Sequence, residues 1–206
     1  MSLSRLRLHL PAGARILDAG GPTTTSWEAV TIPDPHSTIA ANFDSARRPH
    51  LVADLDGPWP LVADSFDAVV SFWVLEHVRR PQRFFEESYR CLRPGGILLL
   101  TTVLTHPKHA APHDYFRFTD DGLHSLSRDA RFVKAETVPL LEGPAQGLCA
   151  AASPWLLFPL VRYLALTLAR GADLLLEQLA PALAGGWCVG YILLAEKAPS
   201  SVPWTR

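Results

Sequence analysis

The sequence predicts an α/β fold, an open parallel sheet with helices on its faces. Two observations carry this prediction. Short apolar runs rich in branched residues recur between Arg15 and Val103, separated by connections of similar length. Several of these runs end at an acid or in a glycine turn. Strands of a parallel sheet are buried on both faces, so they read as continuous apolar stretches instead of alternating ones. Strand and connection in alternation are the pattern of a sheet covered by helices.

The elements follow in order. The first strand is expected at Arg15 to Asp18, before Gly20-Gly21-Pro22. The second runs from Thr38 to Phe43 and ends at Asp44. The third, Leu51 to Ala53, ends at Asp54. The fourth is Phe66 to Ser71, and the fifth Gly96 to Val103. Pro81 opens a helix, where a missing N–H is harmless. That helix continues through Phe84, Phe85 and Tyr89 and is expected to stop before Arg93-Pro94-Gly95-Gly96. Thr119, followed by Asp120 and Asp121, reads as the N-cap of another helix. Two late strands are expected, Phe132 to Leu140 and Cys188 to Ala195.

Between those late strands lies an apolar, leucine-rich segment, 145–185, with helical character. Ala145 to Val161 carries no charged side chain. A membrane-spanning helix needs about 20 largely apolar residues. Here Arg162, Arg170 and two prolines interrupt the run. The segment is therefore read as a helical insertion within a single domain over 1–206. It serves either as a lid over a ligand site or as a surface for peripheral membrane contact through 153–170.

Composition narrows the class. Of 206 residues, 48% are hydrophobic and 19% charged, which excludes a disordered chain. The formal net charge of -1 argues against a general nucleic-acid binder. The arginines at 47, 48, 79, 80 and 83 are read as solvated surface. Cys91, Cys149 and Cys188 include no C-x-x-C pair, which fits reduced thiols and a cytoplasmic setting. Pro11 and Gly13 cut short any leader-like run at the start.

In open α/β sheets, ligands bind beyond the C-terminal strand ends, where strand order reverses. Three acids end three successive strands here: Asp18, Asp44 and Asp54. Carboxylates so placed can accept hydrogen bonds from a ribose diol, an adenine amino group and an ammonium. A lone strand-end Asp is more often only a turn or cap residue. Three in register beside a glycine turn point to a ligand.

The segments "ILDAGG", "ADLDGPWPLVADSFDAVVSFWVLEHV" and "RCLRPGGILLLTT" resemble the methyltransferase type 11 group of class I S-adenosylmethionine-dependent methyltransferases. The likeness runs from about Arg15 to Phe132. It implies a Rossmann-like, doubly wound, seven-stranded sheet with its last strand antiparallel, and S-adenosyl-L-methionine as cofactor. It implies that Asp18, Gly20 and Gly21 surround the methionine moiety and that Asp44 takes the ribose diol. Asp54 and Leu55 would flank the adenine, and Ser71, Phe72 and Trp73 would line the cofactor near its sulfonium. The family's D-x-G-x-G motif is altered here, with Pro22 at the second glycine. A proline offers no N–H, and this motivates an alternative: a catalytically silent binding or scaffolding relative. The absence of G-x-G-x-x-G weakens a nicotinamide reading.

Methyl transfer is an in-line displacement that depends on alignment of the acceptor. Some acceptors also need a base within hydrogen-bond reach. Candidates for proton removal are His77, His113 and Asp114, with His106 in the same loop. His109, Tyr115 and Arg117 are candidate substrate contacts. His77 also fits a structural turn histidine, and Arg117 also fits an ion pair with Asp114 or Asp120. The histidine spacing matches no compact metal motif, and Pro107 and Pro112 break the run, so no metal site is predicted. The expected acceptor is a small molecule or a lipid- or glycan-linked group.

Overall fold

The computed structural model describes residues 10, 13–21, 38–109, 112–141, 143–152, 158–180 and 187–200. Seven strands form one sheet: β1 (Ile16–Ala19), β2 (Thr38–Asn42), β3 (Leu51–Val52), β4 (Phe66–Phe72), β5 (Leu92–Val103), β6 (Lys134–Leu140) and β7 (Gly190–Glu196). Their order is β3-β2-β1-β4-β5-β7-β6. The first five run parallel, and β7 lies between β5 and β6, antiparallel to both. This is the doubly wound, seven-stranded sheet expected from the sequence. Strand order reverses between β1 and β4, so the ligand crevice should open beyond their C-terminal ends.

The pleat sorts the apolar runs into two cores. Leu17, Val69, Leu98, Leu100 and Leu193 point to one face, and Ile16, Ala68, Val70, Leu99 and Ile192 to the other. On the first face lie α1 (Pro81–Cys91) and α2 (Asp120–Asp129). α1 contributes Phe84, Phe85, Ser88 and Cys91, a buried stripe at helical spacing. α2 contributes Leu123 and Leu126. Thr119 caps α2 as expected, its side chain accepting from the Gly122 N–H at 3.2 Å.

The chain leaves α1 at Cys91 and enters β5 at once, so Arg93-Pro94-Gly95-Gly96 lies inside the strand instead of in a loop before it. The pairing explains how. Phe66 faces Leu92 and Ala68 faces Ile97, so the intervening residues bulge outward. Pro94, which cannot donate to the ladder, is accommodated in that bulge.

Glu87 of α1 ties the loop before β4 to the helix. Its Oε2 accepts from the Trp59 N–H at 2.9 Å and from Arg90 Nη2 at 2.7 Å. Arg90 in turn donates to the carbonyls of Leu61 and Trp59. Burial alone would raise the Glu87 pKa. The Arg90 and Trp59 hydrogen bonds and the Arg90 and Arg83 charges outweigh it and hold the pKa below its ordinary value. A lowered carboxylate pKa contributes stability that is present above the unfolded-state value, about 4.3, and is lost as pH falls through the folded one. Glu87→Gln should therefore cost about 1–3 kcal/mol in denaturant unfolding at neutral pH. The gap to wild type should close as the pH drops below about 4.

The insertion between β6 and β7 forms α3 (Pro144–Ala152) and α4 (Pro159–Leu179). These pack on each other. The Asp173 carboxylate of α4 accepts from the N–H groups of Ala145 and Gln146 at 2.9 and 2.8 Å, satisfying the first turn of α3. Val103, Gly190 and Leu140 lie side by side across the sheet. The insertion therefore leaves from the same edge as the C-terminal ends of the parallel strands. α4 exposes Leu160, Tyr163, Leu164, Leu168, Leu175 and Leu179. Among the described residues, no helix is long and apolar enough to cross a membrane. Trp155, Leu156 and Leu157 lie outside the described residues.

Candidate active site

Beyond the ends of β1, β2 and β4 the surface sinks into a cleft with two adjoining hollows. The first, about 430 Å³, is lined by Asp18 of β1 and Gly20 and Gly21 after it, by Asn42 at the end of β2 and Phe43 and Asp44 after it, and by Phe72, Trp73 and Val74 at the end of β4. The second, about 340 Å³, is lined by Asp54, Leu55, Asp56, His113 and Tyr115. Phe43, Leu55, Val74, His77 and Pro112 line both. Together they have the size of a cofactor-plus-substrate cleft.

The glycine turn is shaped for close approach. Gly20 has φ +98°, and a Cβ there would stand 2.5 Å from a Val74 methyl. At Gly21 a Cβ would land on the Asp18 carboxylate. The Gly20 N–H donates to the Ala41 carbonyl at 2.7 Å. Asn42 fixes the turn from the other side. Its Nδ2 donates to the Gly20 carbonyl at 2.6 Å, and its Oδ1 accepts from the Asp44 N–H at 3.0 Å. One buried amide thus positions both the glycine turn and the acid after β2. Pro22, the altered position of the glycine motif, lies outside the described residues.

Asp44 and Asp54 each accept one local backbone hydrogen bond, and Asp44 Oδ2 also lies 3.7 Å from Arg47 Nε. Asp44 Oδ1 accepts from Ala46 N–H at 2.9 Å, and Asp54 Oδ1 accepts from Asp56 N–H at 2.9 Å. The bland reading of these acids as turn residues is therefore true as far as it goes. A carboxylate accepts about four hydrogen bonds, so neither acid is used up. Trp73 sits at φ 56° and is 43% exposed in the cleft. A bulky residue held in the left-handed region marks a position that the surrounding structure over-determines.

Other expected residues fall elsewhere. Ser71 is fully buried, and its hydroxyl donates to the Ala19 carbonyl at 2.8 Å. It clamps β4 to β1 and lines neither hollow. Asp114 lines neither hollow and is held in an ion pair, with Arg117 Nη2 donating to its Oδ2 at 2.8 Å and Nη1 to its Oδ1. The Arg117 hydrogen bond, aided by the His109 N–H and the Arg117 charge, overcomes burial and holds this carboxyl far below the usual range. Asp114 is thus a poor base, and Arg117, which also donates to the His106 carbonyl, is an anchor of the loop. The pairing of Arg117 with Asp114 is the alternative arrangement expected from the sequence. His109 lines neither hollow. His77, His113 and Tyr115 do face the cleft. Sequence reasoning missed Asn42, Phe43 and Val74. The available signal was an amide two residues before Asp44, a spacing that suits a local side-chain-to-backbone bond.

Residues 20–100 match the family model described as "Methyltransferase domain". A "Probable S-adenosylmethionine-dependent methyltransferase" of Mycobacterium tuberculosis is 36% identical over 91 residues, covering 41% of this chain and 33% of that protein. The matched segment of this chain is thus similar to S-adenosylmethionine-dependent methyltransferases. A ubiquinone biosynthesis O-methyltransferase of Psychrobacter cryohalolentis is 28% identical over 99 residues, 40% of this chain and 38% of that one. The chain thus spans little more than a third of the length of these curated relatives. An S-adenosylmethionine-dependent methyltransferase of Thermotoga maritima shares the fold, with a TM-score of 0.57 and 17% identity over 95% of this chain and 86% of that one.

The cleft fits the methyltransferase cofactor. Gly20 and Gly21 border the first hollow, and the space their missing side chains leave is taken by Val74 and the Asp18 carboxylate, which packs the turn tightly. Asp18 and Asp44 border the first hollow, and Asp54 with Leu55 begins the second.

Proposed function

We propose that this chain transfers a methyl group from S-adenosylmethionine to a small-molecule or lipid-linked acceptor held at the His113 and Tyr115 end of the second hollow, away from Asp54 and Leu55. The convergence of Asp18, Asp44 and Asp54 on one cleft beside the glycine turn carries this reading. When bound, the cofactor supplies an electrophilic methyl on sulfur. Asp44 is positioned to accept from the ribose hydroxyls. Asp54 and Leu55 are positioned to bracket the adenine by a hydrogen bond and by packing. Phe72 and Trp73 wall the reacting end from water, and His77 and His113 present imidazoles to the acceptor side.

The insertion bears on the acceptor. α3 and α4 contribute no described residue to either hollow, so a lid role has no support from the lining. An apolar helix rising from the sheet edge that bears the cleft suits an acceptor delivered from a lipid surface. An O-methyltransferase of ubiquinone biosynthesis among the relatives agrees with an oxygen acceptor of that kind.

The test is to incubate the protein with methyl-labelled S-adenosylmethionine and either a lipid extract or a soluble metabolite extract. Label is expected in the lipid fraction. Label in the soluble fraction alone would overturn the lipid reading and keep methyl transfer, and label in neither would count against both. Leu164→Gln combined with Leu168→Gln is expected to abolish pelleting with anionic vesicles, because both side chains are exposed on α4. Unchanged pelleting would remove α4 from the account.

A further inference from the structure

A second group of side chains meets beside the acceptor hollow. Glu76 is fully buried. Its Oε2 accepts from the Thr102 hydroxyl at 3.0 Å, and its Oε1 has no hydrogen-bond partner. An unsatisfied buried carboxylate oxygen is costly and calls for a ligand. Two histidines stand around it. His109 Nε2 lies 3.9 Å from Oε1, too far to donate a hydrogen bond. One ligand atom each from Glu76, His77 and His109 lies within 4.8 Å of the others.

The outer partners fix which nitrogen is available. His77 Nδ1 lies 2.5 Å from the His113 carbonyl oxygen, and His109 Nδ1 lies 3.2 Å from that of Pro107. A carbonyl oxygen only accepts, so each Nδ1 carries the proton and each Nε2 presents a lone pair. Backbone carbonyls orienting the remote nitrogen, with a hydroxyl holding the second carboxylate oxygen, form the usual outer shell of a metal site.

We propose that Glu76, His77 and His109 bind a divalent transition-metal cation of the zinc or ferrous-iron class. Two imidazoles and one carboxylate select such ions over calcium or magnesium, which prefer all-oxygen cages. Three protein ligands leave positions open for water or an acceptor oxygen, and His77 places that open side toward the cleft. The cation site stands on this donor set alone, and only its use on an acceptor rests on the methyl-transfer reading. Spacing along the chain conceals the site, because Glu76 precedes the histidine-rich loop and joins it only through the fold.

The experiment is zinc titration of the chelator-stripped, full-length protein in competition with a chromophoric indicator. S-adenosylhomocysteine binding and circular dichroism are measured alongside. One zinc ion per chain is expected. His109→Ala and Glu76→Gln should each weaken zinc on the order of 100-fold, at least as much as losing an outer-shell partner costs. His109→Ala should keep S-adenosylhomocysteine affinity. If Glu76→Gln does not fold, His109→Ala decides alone. Absent zinc binding, or wild-type affinity retained in His109→Ala, would overturn the site. Neither result would touch the methyltransferase reading, which the adenosyl ligand tests separately.

Discussion

Gly20→Ala is expected to abolish measurable cofactor binding while leaving a folded protein. Two costs act together. The backbone at φ +98° disfavours any side chain, at about 1–3 kcal/mol. The new methyl also meets Val74 at 2.5 Å, and overpacking of that kind costs about 1–3 kcal/mol. A typical domain has about 5–15 kcal/mol of stability, so the sheet should survive. The strain is relieved by moving Val74, which lines both hollows, or by tilting the turn that Asn42 and Ala41 hold in place. Either movement narrows the cleft where the sulfonium would lie. A loss of at least about 100-fold in S-adenosylhomocysteine affinity, or about 2.7 kcal/mol, is the expected size. Unchanged affinity would mean that the glycine turn does not cradle the ligand.

Arg117→Met is expected to be the most destabilising surface-proximal change in the loop after β5. The Asp114 side chain is only 1% exposed, and Arg117 is its charge partner. Removing the guanidinium leaves a buried carboxylate with one backbone donor, His109 N–H at 2.9 Å. Breaking a buried pair by removing one partner costs about 3–5 kcal/mol. Arg117 is itself partly exposed, so the lower end applies. For a chain of this size about 3 kcal/mol corresponds to a melting-temperature drop of roughly 6–12 °C. Arg117→Lys should recover only part, because one ammonium cannot reproduce the two parallel bonds. The double change Arg117→Met with Asp114→Asn should recover more, since no charge is then stranded. The loop carries Pro112, His113 and Tyr115 into the acceptor hollow, so the single variant should also raise the acceptor KM. A loss below 1 kcal/mol in thermal unfolding would show that the pair does not hold the loop.

All seven strands were legible in the sequence, the central β1 and β4 most clearly because they are short apolar runs buried on both faces of the sheet. The acids Asp18, Asp44 and Asp54 were legible for a related reason. A charge that interrupts an apolar run marks the strand end, and in a parallel sheet the C-terminal strand ends share one edge. What was illegible depends on contacts between distant segments. Ser71 looks like a strand-end pocket residue, yet its hydroxyl clamps a neighbouring strand. The start of β5 was hidden because Pro94 and Gly95 signal a turn, and only the pairing of Phe66 with Leu92 shows the bulge that admits them. Asp114 and Arg117 carry the side chains of a substrate site, and their mutual bonding turns them inward. Glu76 gave no signal, since its significance comes from His109, far along the chain. The apolar insertion was read correctly as helical, but its distance from the cleft lining follows only from the fold.

The most direct measurement is calorimetric titration of S-adenosylhomocysteine into the wild-type protein and into Asp44→Ala. The account predicts one site per chain in the wild type and affinity at least about tenfold weaker in the variant, as expected for losing charge-assisted bonds to a ribose diol. A folded wild-type protein that takes up no ligand, or equal affinities in the two proteins, would contradict it.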